Sequence, residues 1–179
     1  FKNLIAFEPA KKTFRLLKAN IFLNGIEDRT KIYNLALSNK KTNLHLGERI
    51  ESNIGSSRIL SKKQKNSEIV KSDLLDNYTN GLNRNNSLIF MDAEGHEPYI
   101  LLGAKKTLKK RIPIVFEFAP KILDKHWLKN LSIVFKNYNF FYDLQSQSLK
   151  KEKFNKKTLV ALFNKLNTKE EIYTDLMII

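Results

Sequence analysis

A polar segment with the composition of a ligand site, residues 92–97 (Asp-Ala-Glu-Gly-His-Glu), directly follows the apolar residues 88–90 and Met91. Three acids and a histidine are poor material for a hydrophobic core. They are typical of the carboxyl end of a parallel strand that opens into a ligand crevice. Gly95 permits a tight turn, and Pro98 suits the first turn of a following helix. This segment is therefore the predicted site of any chemistry.

Asp92 and His96 are the candidates for proton transfer. A carboxylate or an imidazole within hydrogen-bond reach of a hydroxyl can remove its proton and so make its oxygen a better nucleophile. His96 is the better base by the ordinary pKa of its imidazole, which is near neutrality, whereas Asp92 lies nearer the strand end. Glu94 is a third catalytic candidate. Glu94 and Glu97 could also orient substrate hydroxyls, bind a divalent ion, or serve only as negative charges at a helix start.

Further candidates are polar groups at strand ends or within apolar segments. Glu117 lies inside an apolar strand, where a carboxylate must be paired or must face a crevice. Glu8 ends the first predicted strand, where it could accept hydrogen bonds from the two hydroxyls of a ribose or stabilise a helix start. Ser56 and Ser57 belong to a polar segment that either covers a pocket and binds substrate or forms a plain surface turn.

Alternating strands and helices are predicted from the spacing of apolar residues. The strand–helix–strand rhythm favours a parallel, doubly wound α/β sheet in a single domain, residues 1–179. Residues 40–87 break this rhythm and are predicted to form an insert. We predict strands over residues 4–7, 31–37, 42–46, 58–60, 68–72, 88–91, 112–118, 140–144 and 159–163, and helices over residues 10–23, 73–78, 98–110 and 121–137.

Charge and cysteine content limit the classes of partner. The chain has a net charge of +14, which would suit nucleic acid if it were clustered. The lysines are scattered in pairs, so a solvated surface is the favoured interpretation, and we expect no nucleic-acid partner. We recognise neither an apolar run of membrane-spanning length nor a signal peptide. The absence of cysteine excludes disulfides and thiolate metal sites and fits a reducing cytoplasm.

Five sequence blocks occur in a fixed order: Ile-Ala-Phe-Glu-Pro at residues 5–9 with residues 14–20 and 23–25, Ala-Leu-Ser-Asn at 36–39, Asn-Ile-Gly-Ser-Ser at 53–57, Asp-Ala-Glu-Gly-His-Glu at 92–97 with Leu-Leu-Gly-Ala at 101–104, and Ile-Val-Phe-Glu at 114–117. In these blocks and their order the sequence resembles the FkbM-type methyltransferases. The resemblance implies an S-adenosylmethionine-dependent O-methyltransferase on a Rossmann-like sheet, acting on a hydroxyl of a sugar, glycan or other small molecule.

The resemblance also implies residue roles. Glu8 would bind the ribose hydroxyls of the cofactor, and Ala36, Leu37 and Ser38 would flank its adenine. Asp92 would lie beside the methyl group that is transferred. Residues 40–87 would cover the active site as a lid and help to select the substrate. The family does not require a metal, so we expect none, although Asp-x-Glu-x-His is also a pattern of oxygen and nitrogen metal ligands.

The sequence departs from the family at its start. The first strand, the glycine-rich loop that cradles the cofactor and the first helix are not found before the strand at residues 4–7. We expect an N-terminally truncated sheet, with cofactor binding by the full-length protein and little or none by this chain. Exposed strands beside the gap could pair with a second copy. The alternatives are an RNA methyltransferase or a non-catalytic binding or assembly fragment. Glu8 and Asp92 should open onto the same edge of the sheet.

Overall fold

The fold combines helices and strands in a mixed α/β arrangement. The computed structural model describes residues 2–48, 57–168 and 173–179. The predicted substrate residue Ser56 lies outside these ranges. The chain forms two compact units, Phe1–Leu74 and Leu75–Ile179. In the described part of the chain, no helix has the length and apolar character needed to cross a membrane.

The first unit begins with the predicted strand–helix–strand element. Strand β1 (Leu4–Phe7) leads through helix α1 (Lys11–Leu23) to strand β2 (Thr30–Tyr33), which pairs with β1 in parallel. Helix α1 ends where Asn24 donates its backbone N–H to Asn20 and Gly25 follows with φ of 59°. The left-handed conformation at this glycine is a usual helix stop.

A four-stranded sheet completes the first unit. It contains β3 (Ala36–Leu37), β4 (Thr42–Glu48), β5 (Ser57–Leu60) and β6 (Glu68–Asp73), in the order β3-β6-β4-β5. β3 pairs with β6 in parallel, whereas β4 runs antiparallel to both of its neighbours. The buried side chains of Ala10, Ala36, Leu46 and Val70 form its small core.

The predicted strand over residues 31–37 is two strands in two sheets, β2 and β3. Asn34 lies between them, and its side-chain Nδ2 donates to the carbonyl oxygens of Glu8 (2.9 Å) and Pro9 (3.0 Å). A side chain that bonds the neighbouring backbone competes with the regular ladder. The apolar pattern on either side of Asn34 could not reveal this interruption.

The second unit is built on a five-stranded mixed sheet in the order β10-β9-β11-β8-β7. Strand β7 pairs with β8 in parallel, and the remaining pairs are antiparallel. The elements in chain order are β7 (Ile89–Met91), α2 (Glu97–Leu102), α3 (Lys105–Lys109), β8 (Ile114–Phe118), α4 (Trp127–Leu131), β9 (Phe140–Asp143), β10 (Lys151–Lys153), α5 (Lys156–Asn167) and β11 (Thr174–Ile178).

The predicted strand over residues 159–163 is wrong, because these residues lie within α5. Asn155 starts that helix with a reciprocal cap. Its side-chain oxygen accepts from the backbone N–H groups of Lys157 (2.9 Å) and Thr158 (3.2 Å), and the Thr158 hydroxyl accepts from Asn155 N–H (3.3 Å). This capping pattern outweighs the short apolar run as a structural signal. The antiparallel partners of β9 are β10 and β11.

Two predicted helices are shorter than expected. The helix over residues 98–110 is divided into α2 and α3 at Gly103, a residue type that favours helix interruption. The helix over residues 121–137 is α4 followed by a 3₁₀ helix, Ser132–Lys136. Before α4, Asp124 Oδ1 accepts from His126 N–H at 2.7 Å, which forms a local turn in place of a helical turn.

The start of α3 depends on a residue far away in sequence. Asp76 lies in a 3₁₀ helix, Leu75–Asn77. Its Oδ1 accepts from the backbone N–H and the hydroxyl of Thr107, each at 2.7 Å, and its Oδ2 accepts from Lys106 N–H at 2.9 Å. A carboxylate at a helix N-terminus satisfies N–H groups that have no partner within the helix.

We predict that Asp76→Ala lowers the free energy of unfolding by about 1–3 kcal/mol, because it leaves these donors without their acceptor. Urea titration followed by circular dichroism measures the change. Asp28→Ala, at an exposed acid, is the control and should change stability by less than about 0.5 kcal/mol. Equal stability of the two variants would show that Asp76 does not hold α3.

Candidate active site

Asp92, Glu97 and Glu117 bring their carboxylates together at the carboxyl ends of β7 and β8. One oxygen of each lies within 4.8 Å of the others. The pairing of β7 with β8 explains why Asp92 and Glu117 are neighbours. Met91 pairs with Phe116, and Asp92 and Glu117 are the residues that directly follow this pair. Three of the sequence-predicted site residues therefore form one group, contributed by two strand ends and the first residue of α2.

A tight turn places Glu97 in this group. Glu94 and Gly95 have φ of 49° and 87°, and His96 N–H donates to the carbonyl of Ala93 at 3.0 Å. The chain thus reverses between β7 and α2, and Glu97 Oε1 accepts from Ala93 N–H at 2.6 Å. A side chain at Gly95 would not fit, because a Cβ there would lie 2.7 Å from the carbonyl oxygen of Ile122.

The Glu97 side chain is buried next to two other acids. The residue is only 1% exposed, and among the described residues no group hydrogen-bonds to its Oε2. Burial raises the pKa of Glu97 to about 8, the hydrogen bond from Ala93 opposes this rise, and the charges of Glu117 and Asp92 add to it. In the absence of any bound cation, Glu97 therefore carries a proton at neutral pH.

Asp92 is the exposed member of the group. Partial burial of its carboxyl group, followed by the charge of Asp175, raises the pKa of Asp92 above its ordinary value. Asp175 lies on β11 directly opposite Glu117. Asp92 is therefore a carboxylate that solvent or substrate can reach, and it is a somewhat stronger base than an ordinary aspartate.

His96 lies beside the carboxylates in sequence but has a different environment. Its ring stacks on Tyr99, with centroids 5.0 Å apart and planes at 17°. The Tyr99 hydroxyl in turn donates to Asp124. Burial lowers the pKa of His96 to about 4, although the charge of Asp124 acts in the opposite direction. Its imidazole is neutral at physiological pH and is a weak base, which favours Asp92 for proton removal.

The predicted cofactor residues other than Asp92 lie in the first unit. Glu8 follows β1, and its Oε1 accepts from Ala10 N–H at 2.7 Å. Burial raises the pKa of Glu8, the Ala10 hydrogen bond opposes the rise, and the charge of Glu68 adds to it. Ala36 and Ser38 are buried, with 5% and 2% exposure, whereas Leu37 is partly exposed.

The structure gives the positions of two further predicted site residues, Ser57 and Glu94, whose roles stay predictions. Ser57 begins β5, where it pairs with Glu48. Glu94 occupies the turn and is not part of the carboxylate group. The shared sheet edge for Glu8 and Asp92, and a lid formed by residues 40–87, stay predictions.

Asp175 is a site residue that the sequence reasoning missed. The signal available was an acid directly before the apolar residues 176–179, a weaker pattern than that of Glu117, which has apolar residues on both sides. Its position opposite Glu117 depends on the antiparallel pairing of β8 with β11, which brings together residues far apart in the chain. Local pattern alone does not give that pairing.

Comparison with known proteins identifies the family. The family described as the methyltransferase FkbM domain matches residues 2–143, which include the three grouped carboxylates. This chain belongs to that family. Among solved structures, it is similar to the crystal structure of Methyltransferase FkbM from Methylobacillus flagellatus KT, with 12% sequence identity and a TM-score of 0.56.

The similarity to that crystal structure covers 100% of this chain and 37% of the other. At this identity it establishes a common mixed α/β fold and nothing about substrate. This chain thus spans 37% of the length of the protein that it matches. A comparison with curated proteins finds no match.

We predict that Gly95→Ala destabilises the second unit more than Gly81→Ala does. Both glycines have positive φ, 87° and 82°, so both variants suffer similar backbone strain. Only at residue 95 would the added Cβ meet another atom, whereas none lies within 4 Å at residue 81. Urea unfolding should show an additional loss of about 1–3 kcal/mol for Gly95→Ala. Equal losses would mean that Ile122 moves freely out of the way.

We predict that Glu97→Gln removes a pH dependence of stability. The pKa of Glu97 is raised from 4.5 to about 8 on folding, so the folded state binds more protons between these values. The wild-type free energy of unfolding therefore falls as the pH rises through this window. The variant should become more stable than wild type across it, by on the order of a few kcal/mol.

The measurement is urea unfolding of both proteins at intervals between pH 4.5 and 8, with a chelator present to remove adventitious cations. Other groups titrate in both proteins, so their contributions cancel in the difference between the two free energies. A difference that stays constant with pH would contradict the buried, protonated state of Glu97.

Proposed function

We propose that the whole protein transfers a methyl group from S-adenosylmethionine to a hydroxyl of a sugar or another hydroxylated small molecule. The observation that carries this proposal is the position of Asp92, an exposed carboxylate that follows β7 in a domain of the FkbM methyltransferase family. A carboxylate at such a strand end can bind an acceptor hydroxyl and take its proton.

The described side chains of the first unit are compatible with part of the cofactor site that the family resemblance implies. Glu8 uses Oε1 for the Ala10 N–H, and its Oε2 has no hydrogen bond among the described residues, so it could accept from a ribose hydroxyl. Leu37 is partly exposed and could contact the adenine. Ala36 packs in the small core of its unit, so its contribution would be to position the strand end. S-adenosylmethionine, when bound, supplies an electrophilic methyl group.

The residues of the second unit suit proton transfer to Asp92. The acceptor hydroxyl would donate to the Asp92 carboxylate, and its proton would pass to that group as the oxygen bonds the methyl carbon. The bond between that carbon and sulfur would break, and S-adenosylhomocysteine would be the leaving group. Glu117 offers a further acceptor for a neighbouring hydroxyl, since one of its oxygens lies within 4.8 Å of an Asp92 oxygen. Several carboxylate oxygens close together favour an acceptor with more than one hydroxyl, such as a sugar.

Protein produced from the complete open reading frame provides the test. We predict that Asp92→Asn lowers kcat for methyl transfer to hydroxylated acceptors by about 10²–10⁴-fold, the usual contribution of a general base. Its affinity for S-adenosylhomocysteine, measured by calorimetry, should stay within about twofold of wild type, because this substitution affects the hydroxyl rather than the adenosine. Glu8→Gln should instead weaken that affinity.

Glu152→Gln, an exposed acid on β10, is the matched control and should change neither quantity. Full activity of Asp92→Asn would remove Asp92 from proton transfer. Failure of the complete protein to bind S-adenosylhomocysteine would overturn the methyl-transfer proposal and favour a non-catalytic binding role. Methylation of RNA in preference to sugars would contradict the proposed acceptor class.

A further inference from the structure

We propose that Asp92, Glu97 and Glu117 form a binding site for an oxygen-preferring divalent cation. Asp92 directly follows β7, Glu97 begins α2, and Glu117 is the next-to-last residue of β8. Their nearest carboxylate oxygens lie within 4.8 Å of one another. The inference depends on this geometry alone and not on methyl transfer, and it differs from the sequence expectation that no metal is present.

Glu97 is the group that points to a ligand. It is 1% exposed, and its Oε2 has no hydrogen-bond partner in the described part of the chain. An oxygen of this side chain lies within 4.8 Å of oxygens of Asp92 and Glu117. A buried polar atom without a partner costs free energy comparable to a lost hydrogen bond or more. A cation between the three carboxylates would give this oxygen its partner.

Charge balance supports the same conclusion. Asp175 lies opposite Glu117 and adds a fourth acid to this edge of the sheet. Within residues 2–48, 57–168 and 173–179, no lysine, arginine or histidine forms an ion pair with Asp92, Glu97 or Asp175, although the chain has a net charge of +14. Acids held close together without a basic partner favour binding of a positive ion.

The spacing of the oxygens indicates the class of cation. Carboxylate oxygens bind Mg²⁺, Mn²⁺ and Ca²⁺ in preference to softer metals. Two oxygens bound to the same Ca²⁺, at about 2.4 Å each, can be at most about 4.8 Å apart, and around Mg²⁺ at most about 4.2 Å apart. Separations within 4.8 Å are therefore compatible with shared binding of Ca²⁺, and of Mg²⁺ or Mn²⁺ once the oxygens lie closer together. Exposure of Asp92 leaves room for water ligands.

The alternative occupant of this position is a proton on Glu97 that bridges to a neighbouring carboxylate. A proton and a cation differ in what the wild-type chain does when divalent ions are added. The proton-only arrangement gives no saturable binding, whereas the proposed site gives one binding event per chain that depends on all three acids.

Calorimetric titration of Mn²⁺ and of Ca²⁺ into the chelator-treated 179-residue chain is the test, in salt near physiological strength to screen diffuse attraction. We predict one site with Kd on the order of 10⁻⁶–10⁻⁴ M for at least one of the two ions, within the range of known carboxylate sites. Glu97→Gln and Glu117→Gln should each weaken Kd at least tenfold, because loss of even an outer-shell partner of a ligand typically costs about 10–100-fold in metal affinity. Glu152→Gln should bind as wild type does.

The midpoint of thermal unfolding, Tm, provides a second measurement, which does not depend on the heat of ion binding. Mn²⁺ or Ca²⁺ should raise the Tm of wild type and of Glu152→Gln, because an ion that binds only the folded state stabilises it. The same ions, at the same concentration, should raise the Tm of Glu97→Gln by less than they raise that of wild type. Asp92→Asn, at the exposed member of the group, tests the site if either glutamate variant fails to fold.

Two results would overturn the proposal. One is the absence of saturable binding to wild type by either ion up to ~10 mM, above the weakest class of carboxylate sites. The other is binding that Glu97→Gln, Glu117→Gln and Asp92→Asn leave unchanged, which would place the ions elsewhere on the surface. Loss of methyl transfer in the complete protein would not bear on this test, since binding is measured directly.

Discussion

The candidate site depends on the burial of one carboxyl group, that of Glu97, beside two other acids. Removing a lone carboxylate from water is costly, so a group in this position must hold a proton or a compensating ion. The positive φ values at Glu94 and Gly95 create this situation, because they turn the chain so that α2 begins with its acid directed inward. Gly95 is required by the close carbonyl of Ile122. The backbone turn thus sets the electrostatics of the neighbouring Asp92 and Glu117.

The same turn separates residues that looked equivalent in the sequence. Asp92, Glu94, His96 and Glu97 all belong to one short polar segment, and each is a reasonable acid or base by residue type. The structure leaves Asp92 exposed, places His96 on the ring of Tyr99, and buries Glu97. These environments favour Asp92 over His96 as proton acceptor, a choice that the ordinary pKa values would have reversed. The segment could be predicted as a candidate site from sequence, but the different environments of its residues could not.

Local signals explain which parts of the fold were predictable. The strand–helix–strand elements around α1 and between β7 and β8 are confirmed, because apolar periodicity and a glycine or proline mark each end. The wrong predictions arose where hydrogen bonds of a polar side chain determine the backbone conformation. Asn34 interrupts a predicted strand, Asn155 caps a helix where a strand was predicted, and Asp76 accepts hydrogen bonds at the start of α3. Asp76 acts on residues 106 and 107, so no local pattern contains that information. The pairing of Asp175 with Glu117 could not be predicted either, because these residues are also far apart in the chain.

A proton and a divalent ion are two ways to satisfy the same buried group, and they would leave Asp92 with different chemistry. With a proton on Glu97, Asp92 keeps its negative charge next to a neutral neighbour and can accept a proton from a hydroxyl. With a cation bound, one oxygen of each acid is used as a ligand, and the second Asp92 oxygen stays available on the exposed side. A hydroxyl beside that cation would lose its proton more readily, because a bound cation stabilises the resulting negative oxygen. In either state the proposed proton transfer would take place at Asp92, since it is the member of the group that solvent reaches.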